Sequence, residues 1–433
     1  MRNVARNARS VAASDIVRHG AIVFAASMLV NALGYAYHFA LSRKLGVDGY
    51  GVLAALNALY MLASGTIPTV LATVVVKYAA EFRVLHDEAH LAELSRRLFR
   101  FGALAAAIAI VLGVLCAPLV AGFLHVPNVR AVAIADAIIA LGLVLPVLRG
   151  VLQGTEEFGS YATSILIESG LKALLGIALA YAGFGLVGAF GGWAIGTFAS
   201  LGYTAWVLRR RFRPGVRTSL HVDLRRLVRT TVNVAAATVV VTLLGYADVI
   251  VVKHVVDPRT AGLYGALALS GKILLFFVGF VPTIVLPKAT RLALQGRSPL
   301  GVIAQALGIV ALLAGGGLVL YAFLPRFVIV ALAGPAFAAV APQVFRYGLA
   351  TALLAVANVA VVYKIGIHRF DFVVPLGVIA LAEIAAIAVR HGSIAQVVEI
   401  VIAANACAAF AALYRLGAPA RSPALVQAGK AAA

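Results

Sequence analysis

Leu33-Gly34-Tyr35-Ala36, Tyr50-Gly51 and Ile67-Pro68-Thr69-Val70-Leu71 return in the second half of the chain as Leu244-Gly245-Tyr246-Ala247, Tyr264-Gly265 and Val281-Pro282-Thr283-Ile284-Val285. Tyr50, Gly51, Pro68 and Thr69 each recur at an offset of 214 residues, and the upstream tetrapeptide at 211, as a three-residue longer connection would give. Self-similarity at a fixed period marks an internal duplication. These strings lie among apolar runs such as Ala103 to Leu115, in which no position is polar. A β-barrel strand would instead alternate in polarity over about ten residues, so the runs are read as helices.

Composition agrees. Of the 433 residues 63% are hydrophobic and 12% charged, with a mean hydropathy of +1.01, which excludes a soluble globular enzyme. At roughly 20 apolar residues per crossing the chain has material for about twelve spanning helices. Apolar runs place them near 19–41, 51–76, 100–124, 131–152, 161–183, 185–208, 229–252, 262–287, 300–324, 337–362, 372–389 and 394–414. The expected fold is an all-α polytopic membrane protein built as two six-helix repeats. An even number of crossings per repeat gives both copies the same orientation, a parallel repeat. The domains follow: an N-lobe over 1–208, a basic linker over 209–229, a C-lobe over 230–415 and a tail over 416–433. In the linker Leu220, Leu224, Leu227 and Val228 recur at helical spacing among arginines, the pattern of a short amphipathic helix on the membrane surface.

The net charge of +20 is a topology signal. Alternate connections counted from the N-terminus hold 26 of the 36 Lys and Arg residues, the intervening ones 7, and Lys172, Lys272 and Arg346 fall inside spans. Positive residues concentrate on the cytoplasmic side, so both termini are expected there. The excess charge is satisfied by anionic lipid headgroups and calls for no nucleic-acid partner. The run from Ala21 to Leu41 is longer than a secretory signal core and is read as the first spanning helix.

Material for catalysis is sparse. Cys116 and Cys407 both lie in apolar runs and suggest neither a disulfide nor a metal site. There is no His-Glu-x-x-His helix and no phosphate-binding Gly-rich loop; Gly315-Gly316-Gly317 lies within a span, where it permits close packing or bending. The longest external connection, about 325–336, carries one Arg and no acid. No catalytic residue, metal or cofactor is assigned, and the chain is not read as an enzyme. A duplicated, helical, loop-poor chain without a nucleotide site has the character of a secondary transporter.

Ser42-Arg43-Lys44-Leu45-Gly46-Val47-Asp48-Gly49-Tyr50-Gly51 resembles the "arxLGxxxyG" turn of polysaccharide-type flippases, members of the multidrug/oligosaccharidyl-lipid/polysaccharide (MOP) exporter superfamily. Tyr246-Ala247-Asp248 followed by Ala261-Gly262-Leu263-Tyr264-Gly265 is similar to that family's seventh-to-eighth helix region, and Gln153-Gly154 with Phe158 to its fourth-to-fifth connection. The resemblance implies a MATE-like fold of two lobes around a central cavity, in the bacterial cytoplasmic (inner) membrane. It implies export of prenyl-diphosphate-linked oligosaccharide for polysaccharide biosynthesis by alternating access. The partners implied are that lipid-linked substrate, membrane lipids and other polysaccharide assembly proteins. Two alternatives stand beside it: a cation-coupled multidrug exporter of the same fold, and a non-transporting scaffold of an assembly complex. The flippase predicts a net positive lumen, the drug exporter a net negative one.

Ionisable residues inside spans are costly, about 2.5 to 3.5 kcal/mol each on insertion scales, and by default face a cavity or a partner. Glu168 and Lys172, four apart on one helix face, either pair locally or line the cavity. Lys272 and Arg346 have no opposite charge within a turn and need another helix, water or an anionic substrate. Together with Arg18 and Arg43 near the span ends, these cations are the candidate diphosphate ligands, while Lys44 is read as a headgroup contact. Asp248, Glu383, Glu168 and Asp136 are the candidate coupling acids, Asp248 also being open to a packing role beside Lys253. Pro68 and Pro282 are expected inside the second and eighth helices, kinking them as fixed bends or as hinges.

Overall fold

The computed structural model describes residues 2–65, 67–84, 88–209 and 224–417, with side chains described from Ile22 onward except at 67, 69, 70, 73, 74, 77, 81, 84, 88, 224–231 and 294. Among these residues the structure is helical and contains no strand, and nine helices are long and apolar enough to cross a membrane. On α3 (Glu88–Phe123) Phe101, Leu104, Ile108, Leu112, Leu115 and Leu119 are all exposed at helical spacing. In water such a stripe would aggregate; in a bilayer it faces acyl chains.

The chain forms two compact units: residues 1–44 with 66–227, and residues 45–65 with 228–433. The division falls at Leu227/Val228, and one segment of the first half, Leu45–Gly65, groups with the second unit. This segment is the end of α1 (Arg2–Ser64), whose helical path is broken at Gly46 (φ 68°, ψ −174°). Its grouping follows from small residues. A Cβ on Gly51 would lie 2.8 Å from the backbone nitrogen of Gly262 on α8 (Pro258–Val278), and one on Gly265 would lie 2.7 Å from Ala54. Only glycine allows helix backbones to approach so closely. The part of the basic linker over 210–223, where the surface helix is expected, lies outside the described residues.

In the first unit α4 (Val129–Gly154) is the most buried span and packs against α2 (Ile67–Val84), α3 and α6 (Gly185–Leu208), while α6 pairs closely with α5 (Phe158–Leu179). Gly188, Gly192 and Gly196 set α6 directly on the α5 backbone, where any Cβ would collide. In the second unit the corresponding central element is α12 (Val344–Gly366), entered through a 3-10 stretch Pro335–Gln343. It packs against α8, α9 (Val281–Leu294), α10 (Leu300–Phe323) and α14 (Ile394–Leu413), with α13 (Val373–Val389) on α14. Leu354 belongs to one apolar cluster around it and Val359 and Tyr363 to another, with Val356 packed against both.

The duplication is visible in backbone detail. After α4, the amides of Thr155, Glu156 and Glu157 donate to the carbonyls of Val151, Gln153 and Leu152. After α12, those of Ile367, His368 and Arg369 donate to Tyr363, Ile365 and Lys364, the same pattern 212 residues on. Both turns place a non-glycine residue at positive φ, Glu156 at 57° and His368 at 56°, which is uncommon.

One expectation is corrected. Pro68 and Pro282 do not kink the interiors of two long helices. Each expected helix stops, after Ser64 and after Val278, and restarts with proline as the second residue of α2 and of α9. Proline lacks an N–H and is tolerated in a first turn, where no intrahelical donor is needed. The breaks at Gly65 and Gly279 are themselves 214 residues apart. A further short helix, α11 (Pro325–Ala333), fills the connection expected to be a loop.

Candidate substrate and coupling sites

In the first unit the glycine-mediated approach of α6 to α5 brings polar side chains together within apolar helices. Arg149 of α4 forms an ion pair with Glu168 of α5 at 2.8 Å. It also donates from Nε to Ser164 Oγ at 2.9 Å, and from an Nη to the Ser164 carbonyl at 3.0 Å and to Ser200 Oγ at 2.9 Å. Ser164 further contacts Thr204 at 2.8 Å, and Thr197 donates to Glu168 at 3.3 Å. Glu168 is thus matched by Arg149 and not by Lys172. One turn along α5, Lys172 lies with its ammonium over the ring of Trp193 at 3.4 Å and of Tyr37 at 4.9 Å. Tyr37 is fixed by donating to the Ala189 carbonyl at 3.1 Å, and Trp193 stacks on Phe190. Lys172 is a cation held by aromatic faces, with no carboxylate in ion-pair range among the described residues.

In the second unit Asp248 of α7 (Leu224–Val255) is 2% exposed. Its Oδ2 accepts hydrogen bonds from Tyr264 at 2.6 Å and Tyr347 at 2.7 Å, while Oδ1 is buried without a partner among the described residues. Asp248 therefore does not pair with Lys253. Glu383 of α13 is 3% exposed, and its Oε1 likewise has no partner. Lys272 of α8 repeats the arrangement of Lys172, its ammonium 4.2 Å from the ring centre of Tyr246, again without a carboxylate in range among the described residues. Asn405 of α14 donates to the Ala350 carbonyl and leaves Oδ1 unpartnered among the described residues. A cavity of about 190 Å³ lies between α7, α8, α9 and α12 within this unit.

The remaining expected residues are placed elsewhere. Arg346 finds its partner on another helix, Glu399 of α14, at 2.7 Å on an exposed surface. Arg43 folds back over its own helix, donating to the Phe39 carbonyl at 2.9 Å with its guanidinium over the Phe39 ring. Lys44 lies 5.3 Å from the Tyr181 ring centre. Asp136 faces Gly113 of α3, its Oδ2 buried and unpartnered among the described residues. The side chain of Arg18 lies outside the described residues. Pro282 lines the 190 Å³ cavity.

Several polar residues were not legible as site candidates. Arg149 falls near the expected end of the fourth span, and α4 continues past it to Gly154, which puts it among helices. Ser164, Ser200 and Thr204 look unremarkable singly, and only their co-location identifies them. Lys364 reads as a loop cation but is wholly buried, held by Asp371 at 3.2 Å.

No curated protein matches this chain in sequence. In structure it is similar to a multidrug resistance MATE family transporter of the MOP superfamily in an inward-facing conformation, with a TM-score of 0.75 at 11% identity over 95% of this chain and 98% of that one. It is similar to the lipid II flippase MurJ in an inward closed conformation, with a TM-score of 0.67 at 14% identity over 92% and 87%. A third is a MOP superfamily transporter from Pyrococcus furiosus, described as having a binding pocket of reversed polarity, at 0.65 and 12% over 93% and 94%. At such identities these likenesses show the fold, an all-α transporter fold of the MOP type. The family described as polysaccharide biosynthesis protein matches residues 16–293, more than half of the sequence. With its repeated helical fold and its flippase-like neighbours, the chain belongs to the polysaccharide biosynthesis protein family.

Proposed function

We propose that this flippase-type membrane transporter moves prenyl-diphosphate-linked oligosaccharide across the bacterial cytoplasmic membrane by alternating access, with both termini cytoplasmic. The observation that carries the reading is the pair of intramembrane lysines. Lys172 and Lys272, one in each unit, lie over aromatic rings and form no salt bridge among the described residues, Glu168 and Asp248 acting on them only from beyond contact distance. A cation–π contact contributes only about 0.5 to 2 kcal/mol, less than the cost of a lone charge in hydrocarbon, so each ammonium is poised for an external anion. A diphosphate supplies that anion while its prenyl tail stays in lipid. Arg346 and Arg43 are already engaged and are not assigned this role.

The coupling reading has separate support. Asp248, Glu383 and Asp136 are acids within helices that form no salt bridge among the described residues, and Asp248 and Glu383 are almost fully buried. We assign them to the energetics of the cycle and not to direct substrate contact. The test is reconstitution in vesicles with a fluorescent undecaprenyl-diphosphate saccharide, scored by accessibility in each leaflet. Faster equilibration than in empty vesicles supports the reading; equilibration at the empty-vesicle rate, with correctly inserted protein, removes it.

A further inference from the structure

We infer that the 190 Å³ cavity inside the second unit is a saccharide subsite that takes one neutral pyranose ring of the substrate, an inference that rests on the lipid-linked saccharide reading above. The volume is suited to a single sugar ring and falls below the about 300 Å³ at which drug-sized pockets begin. Its wall joins apolar surface from Leu275, Leu354 and Val359 to three polar side chains, Thr242, Tyr246 and Asn358. Thr242 donates its hydroxyl proton to the Thr238 carbonyl and retains acceptor capacity. The Tyr246 hydroxyl and the Asn358 amide make no hydrogen bond among the described residues. An amide offers a donor and an acceptor side by side, the complement of two neighbouring sugar hydroxyls.

The helix break adds backbone groups to the wall. Val278, Gly279 and Pro282 all line the cavity, where α8 ends and α9 begins. Pro282 has no N–H, so the Val278 carbonyl lacks the donor that a continuous helix would give it four residues on. A helix C-terminus presents carbonyl acceptors and partial negative charge. These carbonyls can accept hydrogen bonds from hydroxyls, and no charged side chain lines this cavity, which suits a neutral ring better than a phosphate. The cation is held just outside: Lys272 lies over the Tyr246 ring and lines an adjoining small cavity that shares Gly245, Leu275 and Leu354 with the larger one. Sugar ring within, diphosphate at Lys272, is the arrangement the chemistry favours. The break is thereby given a use: it exposes acceptors that an unbroken helix would satisfy itself.

The test uses the full chain in nanodiscs and two probes, undecaprenyl diphosphate and undecaprenyl diphosphate carrying one glucose or one N-acetylglucosamine, with binding followed by calorimetry. Wild type is expected to prefer at least one glycosylated probe over the bare diphosphate by about five- to tenfold, the value of one or two hydrogen bonds. Asn358→Ala should erase most of that preference while leaving the bare probe's affinity unchanged. Lys272→Gln should weaken both probes together and leave the preference intact. Equal affinity for bare and glycosylated probes in wild type overturns the subsite while sparing the diphosphate reading. So does a preference that survives Asn358→Ala and Thr242→Val in variants with wild-type melting temperatures. Binding of neither probe overturns the subsite together with the reading on which it rests.

Discussion

Arg149 makes the densest set of contacts of any charge inside the spans, and its neighbours leave little slack. Breaking a largely buried ion pair on one side costs about 3 to 5 kcal/mol because the survivor is left uncompensated. Arg149→Ala is therefore expected to lower the melting temperature sharply, and Arg149→Ala with Glu168→Gln together to recover part of the loss; thermal unfolding in detergent decides. If the double variant melts no higher than the single one, Glu168 is not the group that suffers. Asp248 presents a similar case. Two tyrosine hydroxyls converge on one oxygen, and Asp248→Ala leaves both buried donors unpaired, at about 1 to 3 kcal/mol each, whereas Asp248→Asn keeps an acceptor for them. Melting should fall much more for alanine than for asparagine, while both abolish any dependence of transport on a coupling ion. Asp257 lies outside the spans and caps α8, accepting from the Arg259 and Thr260 amides at 3.1 and 3.0 Å. Hydrogen bonds with Thr260 hold its carboxyl below the ordinary carboxylate range. A lowered pKa gives stability that is present above the unfolded-state value and disappears as pH falls through the folded one. Asp257→Ala should cost about 1 kcal/mol at neutral pH, and the difference from wild type should shrink in strong acid. An undiminished difference at pH 2 would contradict the cap.

At the scale of elements, the pattern of apolar runs located the helices well but not their interruptions. The span expected over 51–76 reads as one hydrophobic stretch, and so does 262–287, because hydropathy does not register a backbone that stops and restarts. The signal was nevertheless in the sequence. Gly65 followed by Pro68, and Gly279 followed by Pro282, put a helix-ending residue before a helix-starting one at the same repeat offset. The same holds at Gly46, whose φ of 68° with ψ of −174° lies in a region that is essentially glycine's own. Gly46→Ala is expected to cost about 1 to 3 kcal/mol of backbone strain, read as a lower yield of folded protein. Pro68→Ala and Pro282→Ala restore an N–H across each break. If the breaks work as hinges, transport slows several-fold at matched protein amounts; unchanged transport in both variants assigns the breaks to shape alone.

For the whole molecule, the duplication was legible from a handful of residues, since Tyr, Gly, Pro and Thr at one offset leave little room for coincidence. The turns after α4 and α12 extend it to positions where the side chains have diverged, Glu156 and Glu157 against His368 and Arg369, so that only the backbone retains the memory. The candidate site was less legible. Lys172 and Lys272 stood out as lone cations, but their aromatic partners come from other helices or other turns, and Arg346 looked the same from sequence while having its own acid. The grouping of Leu45–Gly65 with the second unit was invisible for the same reason: it depends on which glycines meet.

On the proposed function, the ammonium groups of Lys172 and Lys272 are each kept for a substrate anion. The most direct test is the rate of leaflet exchange of an undecaprenyl-diphosphate saccharide in vesicles containing wild type, Lys172→Gln, Lys272→Gln, or the corresponding arginine variants at equal insertion. The account predicts that each glutamine variant loses most of the exchange and that arginine, which keeps the charge, restores a measurable part of it. Exchange at the wild-type rate in both glutamine variants would contradict it.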